Sequence, residues 1–346
     1  MISLSIFART GGAPFDGAGN MTNPGYIVTA RVAIYWVNCC FQCSPVWEWL
    51  VYAKAMSNTQ PSPFTFTSQR LTLSGVTWGS KEKPLIILVH GGLDQKRSWD
   101  WTARVLADDH FVVAYDLRGH GQSDWVSDGD YGVMDHVYDL AALVDELDIE
   151  ISALVGHSLG GNIALRYTGL FPDRVKKLVA IEGLGPSPKM LAERNAKSFD
   201  DRLRSWIEDR QKKSARVPRA LKSFEEALSR MTTAHTHLDA EQLEHLTRTG
   251  IHENEDGTFR WAYDPAAMGR SPSDIPYHDF VGLLEKITCP TWLVYGAKSW
   301  ASNPQKDGRM AYLKNAQLSE YKDAGHWLHH DSFDLFIDEL KVFLEG

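Results

Sequence analysis

Ile151-Ser152-Ala153-Leu154-Val155-Gly156-His157-Ser158-Leu159-Gly160-Gly161-Asn162 is the stretch whose reading decides the fold. Ala153 to Val155 is a short apolar run of the kind that forms a buried strand. It breaks into Gly156-His157-Ser158-Leu159-Gly160, a G-x-S-x-G pattern, and Ile163 to Leu170 continues with helical spacing. A serine on so sharp a strand-to-helix turn is held in strained backbone and projects its hydroxyl above the sheet. Gly156 and Gly160 allow backbone to pass where a Cβ would clash. The helix that follows offers unpaired N–H groups and a positive dipole end to a developing oxyanion.

Outward from the turn, apolar runs and amphipathic stretches alternate. Upstream, Thr67 to Leu73 and Gly75 to Trp78 suggest a hairpin, and Pro84 to Val89 and Phe111 to Tyr115 read as buried strands. Trp99 to Leu106 and Met134 to Leu147 have helical spacing. Val175 to Ile181 is the next strand. This order predicts an α/β protein with a doubly wound, mostly parallel sheet and right-handed crossovers. The alternation stops near Pro186. Residues 187–285 are charged and helical, with Glu253 to Trp261 a loop or short hairpin, and read as an inserted helical cap. The core then resumes with strands at Thr291 to Tyr295 and Ala316 to Tyr321 and a closing helix at Phe333 to Leu344. The predicted division is a core at 61–186 and 286–346 and a cap at 187–285.

Residues 1–60 differ from the rest. Their role is left open, and their composition allows disorder. Ile27 to Lys54 is aromatic and apolar but is broken by Arg31, Asn38, Gln42, Pro45 and Glu48, which does not favour a membrane span. No signal-peptide pattern is present. A surface or membrane-associating appendage, a targeting segment, and upstream sequence foreign to the working protein are the three readings, and a working start near Met56 is expected. Cys39, Cys40 and Cys43 lack partner ligands at metal spacing. With Cys289 they make four cysteines, no disulfide framework for 346 residues, and fit a reducing, cytoplasmic setting. A hydrophobic content of 43% supports a large core. A net charge of −8 without a basic patch argues against nucleic acid as a partner.

His90-Gly91-Gly92, the serine turn and Gly325-His326 after the last strand, in that order, resemble the α/β-hydrolase fold family, from about Phe64 to Gly346. With the cap, the chain is similar to serine esterases and related hydrolases of that family. The resemblance implies Ser158 as nucleophile and His326 as base, since a serine hydroxyl is a weak nucleophile until a base takes its proton. Family members often carry the triad acid as an Asp a few residues past the glycine that ends the penultimate strand. Here that stretch is Gly296-Ala297-Lys298-Ser299, and Ser299 stands in the acid's place. Other members carry the acid one strand earlier, which points to Glu182. Asp323 is the alternative, though its nearness to His326 along the chain makes the geometry awkward. Asp-nucleophile members of the fold are excluded by Ser158.

The resemblance also implies an oxyanion hole from the amides of Leu159 and of Gly92 or Leu93. His157 reads as a packed residue of the turn, His329 and His330 as rim or surface residues without a metal, and Asp116 with Arg118 to Gly121 as a brace for the loops. Trp99, Trp261, Tyr263, Trp300 and Trp327 are the aromatic candidates for a substrate pocket. The expected function is hydrolysis of small or medium carboxylic esters, small molecules, with no cofactor and no metal. C–C bond hydrolysis or thioester hydrolysis would use the same residues. A non-catalytic ligand-binding protein on this fold is the reading from another class.

Overall fold

A computed structural model describes residues 60–127, 131–214, 217–268 and 274–346. The expectations for Ile27 to Lys54, for Cys39, Cys40 and Cys43 and for a start at Met56 lie outside the described residues.

The sheet is built from β1 (Ser62–Ser68), β2 (Leu71–Trp78), β3 (Leu85–Val89), β4 (Phe111–Tyr115), β5 (Ile151–His157), β6 (Leu178–Ile181), β9 (Thr291–Gly296) and β10 (Ala316–Tyr321). Their order is β1-β2-β4-β3-β5-β6-β9-β10. The β1–β2 and β2–β4 pairs are antiparallel, and the other pairs are parallel. The opening hairpin turns elsewhere than expected. Gly75 lies inside β2, and the turn falls at Gln69-Arg70, with Ser68 paired to Leu71 and Gln69 at φ 56°. Gly75 is needed instead because a Cβ there would overlap the Phe64 ring on the paired strand.

Side chains of β3 alternate between two cores, as the twofold strand period requires. Leu85, Ile87 and Val89 face one, where helix α2 (Val133–Leu147) places Val137, Leu140 and Val144. Helix α3 (Leu159–Leu170) adds Ile163 and Ala164. Ile86 and Leu88 face the other, with Trp99, with Ala103 and Leu106 of α1 (Asp100–Leu106), and with Phe336 and Leu340 of the closing helix Phe333–Glu345. All five residues of β3 are fully buried, and each large apolar side chain so placed contributes roughly 1.5–3 kcal/mol.

Between β6 and β9 the chain inserts α4 (Pro188–Asn195), α5 (Phe199–Ser214), α6 (Phe224–Ala234), α7 (Ala240–Thr249) and a hairpin of β7 (Ile251–Glu253) and β8 (Phe259–Trp261). Asp239 and Gln242 start α7 with a reciprocal capping box. Leu238, Leu243 and Leu246 form a small cluster of their own, against which Met231, Trp101 and Trp327 pack. The insertion is tied to the core by polar contacts. The His245 imidazole reaches Asp100 at 3.3 Å, and the Gly121 amide donates to the Ala262 carbonyl at 2.5 Å. The end of the range assigned to the cap forms a helix, α8 (Tyr277–Glu285), that packs on the core. Phe280 and Leu284 join the cluster around α3, because their spacing places both on one face.

Candidate active site

β5 delivers Ser158 at the point where strand becomes helix. Ser158 has φ 52° and ψ −111°, a conformation a non-glycine residue holds at a cost of about 1–3 kcal/mol when its surroundings enforce it. They do so here. The Ser158 amide donates to the Ile181 carbonyl at 2.7 Å, and its carbonyl accepts from the Asn162 amide at 3.0 Å. A Cβ on Gly156 would overlap the Gly160 carbonyl, and one on Gly160 would overlap that of Val89. Both positions therefore admit glycine alone. The amides of the first helical residues, beginning with Leu159, have no partner inside the helix and face the same opening.

Glu182 follows β6 directly, also at positive φ (51°), with its amide bonded to the Val294 carbonyl at 3.0 Å. Its side chain is fully buried. Oε1 accepts the Gly296 amide at 2.8 Å, Oε2 accepts the Ser299 hydroxyl at 2.5 Å, and Oε2 also pairs with His326 Nδ1. The carboxylate thus has three donors, one of them the imidazole that it orients. Asp323, the alternative acid, is 91% exposed and pairs with Lys298, so it is not brought to His326.

His326 sits on the loop after β10. Its carbonyl accepts a hydrogen bond from His157 Nε2 at 2.8 Å, and the two rings lie 4.8 Å apart. Burial holds the His157 pKa well below the usual histidine value, so the ring is a neutral imidazole, with its proton on the Nε2 that donates and with Nδ1 unpaired among the described residues. His157 therefore joins the Ser158 turn to the His326 loop. Ser158 Oγ makes no hydrogen bond to His326 in this conformation. That contact is often long in free hydrolases and tightens with substrate.

The loop after β3 is held by two more buried, neutral histidines. His90 donates Nδ1–H to the Gly91 carbonyl and accepts the Leu117 amide at 2.9 Å. His120 donates to the Arg118 carbonyl and accepts the Leu93 amide at 3.1 Å. Burial lowers the pKa of both. Leu93 (φ 63°) therefore has its N–H committed to His120, which removes it as an oxyanion donor. The Gly92 amide has no acceptor among the described residues, and the Leu159 side chain lies across from it. Below this loop Lys96 Nζ bonds Asp116 at 2.5 Å, with Ser74 and Gln122 as further acceptors, and Arg118 forks onto Asp139.

A small cleft, open to solvent, lies between this loop and the inserted segment. Trp261, Tyr263 and Trp327 line it, as do Leu93, Asp94 and Met231. Trp99 is not among them. It is fully buried against the sheet, because α1 turns that side inward. Trp300 is 69% exposed and lays its ring 4.8 Å from that of His326, outside the cleft. His329 and His330 are not rim residues. Both are buried among Trp99, Trp101 and Trp327, and burial drives the pKa of His330 down to about 3. Among the described residues no cluster of His, Cys, Asp or Glu could hold a metal ion. Sequence reasoning missed Asp94 and the bond from Ser299 to Glu182. The only available signal was the polar Asp94-Gln95 pair directly after the His-Gly-Gly turn.

Residues 84–333 match the alpha/beta hydrolase fold family. The chain belongs to that family. It is an alpha/beta hydrolase, similar along most of its length to Esterase Rv0045c of Mycobacterium tuberculosis, at 28% identity over 82% of this chain and 90% of the relative. It is also similar to epoxide hydrolase 1 of Caenorhabditis elegans, at 24% identity over 80% of this chain and 68% of that protein. Among solved structures, the thioesterase domain from the curacin biosynthetic pathway superposes with a TM-score of 0.72. It is 25% identical, and the match covers 83% of this chain and 100% of that domain. Among the described residues no helix is long and apolar enough to cross a membrane.

Proposed function

We propose that this hydrolase cleaves carboxylic esters of small or medium acyl groups through Ser158, His326 and Glu182. The observation that carries the reading is Glu182, fully buried and paired with His326 Nδ1, on the strand end beside the strained Ser158 turn. With Nδ1–H directed to the carboxylate, His326 presents Nε2 as the acceptor for a proton. Ser158 Oγ attacks the ester carbonyl, its proton passes to Nε2, and the oxyanion is met by the Gly92 and Leu159 amides. The C–O bond then breaks, and the departing alkoxide takes the proton from His326. Water, deprotonated by the same imidazole, releases the acid from the acyl-serine and restores the hydroxyl. Glu182 stays ionised throughout and stabilises the transient imidazolium.

The inserted helices act as a cap over this centre. A small cleft walled by Trp261, Tyr263 and Trp327 favours short acyl chains over long ones, and the relative named as an esterase supports the ester reading. The test is covalent labelling by a fluorophosphonate, read by intact mass. Wild type is expected to gain one adduct rapidly and Ser158→Ala none. Wild type that stays unmodified under conditions that label a known serine esterase would refute the mechanism.

A further inference from the structure

Asp94 is the one carboxyl lining the cleft, and it is only 6% exposed. Its hydrogen-bond partners are neutral, and the charge that acts on it is the carboxylate of Asp116, which like burial raises its pKa. Oδ1 accepts the Gln95 amide at 2.8 Å, and Oδ2 lies 3.0 Å from the Ser98 hydroxyl. That hydroxyl has a single proton, and the Gln95 carbonyl lies closer to it, at 2.8 Å. Among the described residues no basic side chain pairs with Asp94. The adjacent Lys96 is turned away, with its ammonium bonded to Asp116, Ser74 and Gln122. A buried carboxylate without a counter-charge is costly. Burial accordingly pushes the Asp94 carboxyl up to about 7, so the group is poised between acid and anion. The same cleft is walled by Trp261, Tyr263 and Trp327. Among the described residues no other ring packs on Trp261 or Tyr263. A carboxyl lacking a cation, beside two rings on which no other ring packs, is the chemistry that recognises an organic ammonium. The carboxylate supplies the charge, and the ring quadrupoles attract the alkylated nitrogen.

We infer that this cleft binds a substrate bearing a protonated or quaternary amine, with Asp94 as its counter-ion and Trp261 and Tyr263 as its walls. As a substrate assignment this rests on the esterase reading above. The binding preference itself does not depend on Ser158 being a nucleophile. Glu182 is not a competing counter-ion, since its oxygens are taken by Gly296, Ser299 and His326.

Choline and its carbon isostere 3,3-dimethylbutan-1-ol differ in charge and little else, so titration calorimetry of each into the full chain isolates the ammonium. Wild type is expected to bind choline at least ~10-fold more tightly than the alcohol, and Asp94→Asn to bring the two within about twofold. Trp261→Leu is expected to weaken choline more than the alcohol. It provides a second reading should the first variant misfold. Equal affinity of wild type for the two ligands overturns the inference, as does a preference for choline that survives Asp94→Asn. Fluorophosphonate labelling on the same samples separates the two readings. Labelling without an ammonium preference defeats the cleft assignment alone. An ammonium preference without labelling defeats the esterase reading and leaves the cleft assignment standing.

Discussion

Replacing Glu182 by Gln changes one atom and reverses the direction of a hydrogen bond. Oε1 receives a backbone N–H from Gly296, a donor that cannot change its nature. The glutamine oxygen therefore stays on Gly296, and its NH2 group falls at the Oε2 position, facing Ser299 and His326 Nδ1. Ser299 can accept this donor by rotating its hydroxyl. His326 can accept it only by giving up the proton on Nδ1, which moves that proton to Nε2 and abolishes the base. The cost is the wrong tautomer together with the lost carboxylate charge. In a serine triad this amounts to ~10⁴-fold in the acylation rate, about 5.5 kcal/mol. The assay is stopped-flow release of p-nitrophenol from a short-chain ester, with fluorophosphonate labelling in parallel. Circular dichroism is expected to stay unchanged, because every hydrogen bond around residue 182 can be remade. A Glu182→Gln rate within tenfold of wild type would refute the reasoning, above all if Asp323→Asn proved the slow variant.

Ser299→Ala removes one donor to the buried carboxylate, about 1.5 kcal/mol, and is expected to slow acylation roughly tenfold; an unchanged rate would deny Ser299 a part in holding Glu182. Asp94 gives a pH signature in stability. Its folded pKa of about 7 exceeds the unfolded value of about 3.9, so as pH rises the unfolded chain ionises first. The stability it contributes is complete below about pH 4 and is lost as pH rises through about 7, by at most about 4 kcal/mol. Urea midpoints at pH 5 and pH 8 should fall further for wild type than for Asp94→Asn, and parallel changes would contradict the assignment. Gly160→Ala sets a methyl group against the Val89 and His90 carbonyls, backbone that cannot yield, and should cost about 3 kcal/mol in a thermal or urea melt. An unaltered melting point would show that the turn has room the structure denies it.

Much of this was legible because local rules and the global fold agree. Pro84 to Val89, Phe111 to Tyr115 and Ala153 to Val155 are unbroken apolar runs, and buried parallel strands need that pattern on both faces. The G-x-S-x-G spacing announces its own geometry, since only glycine fits at 156 and 160. The departures come where several solutions share one pattern. The pattern starts a second strand at Gly75 because glycine usually marks a break. The true cause of that glycine is the Phe64 ring across the hairpin, a contact no local window contains. Tyr277 to Glu285 falls in the range assigned to the cap because charge and length alone do not say which layer a segment joins. Trp99, His329 and His330 were misjudged for one shared reason. They bury one another, and burial through tertiary neighbours leaves no periodic trace. Asp94 was overlooked because an acidic residue after a glycine pair reads as ordinary loop. What distinguishes it is the absence of a cation nearby, and only a folded chain reveals an absence of that kind.

The carboxylate that meets His326 stands on β6, while the vacant family position at Ser299 stands just past β9, and these strands are immediate neighbours in the sheet. The two berths are close enough that Ser299 Oγ touches Glu182 Oε2 at 2.5 Å. A lineage could therefore move its acid from one strand to the next while the imidazole stayed still. An ancestor holding acids at both places would have carried two carboxyl groups on one histidine. Like charges so close cannot both ionise, so one would have kept a proton and become dispensable. Such a handover would need no inactive stage, and a serine left at the older berth could still donate to the new acid, as Ser299 donates to Glu182. A census by the residue at the older berth would find Ser299 and overlook the carboxylate that Glu182 brings to His326 from the neighbouring strand.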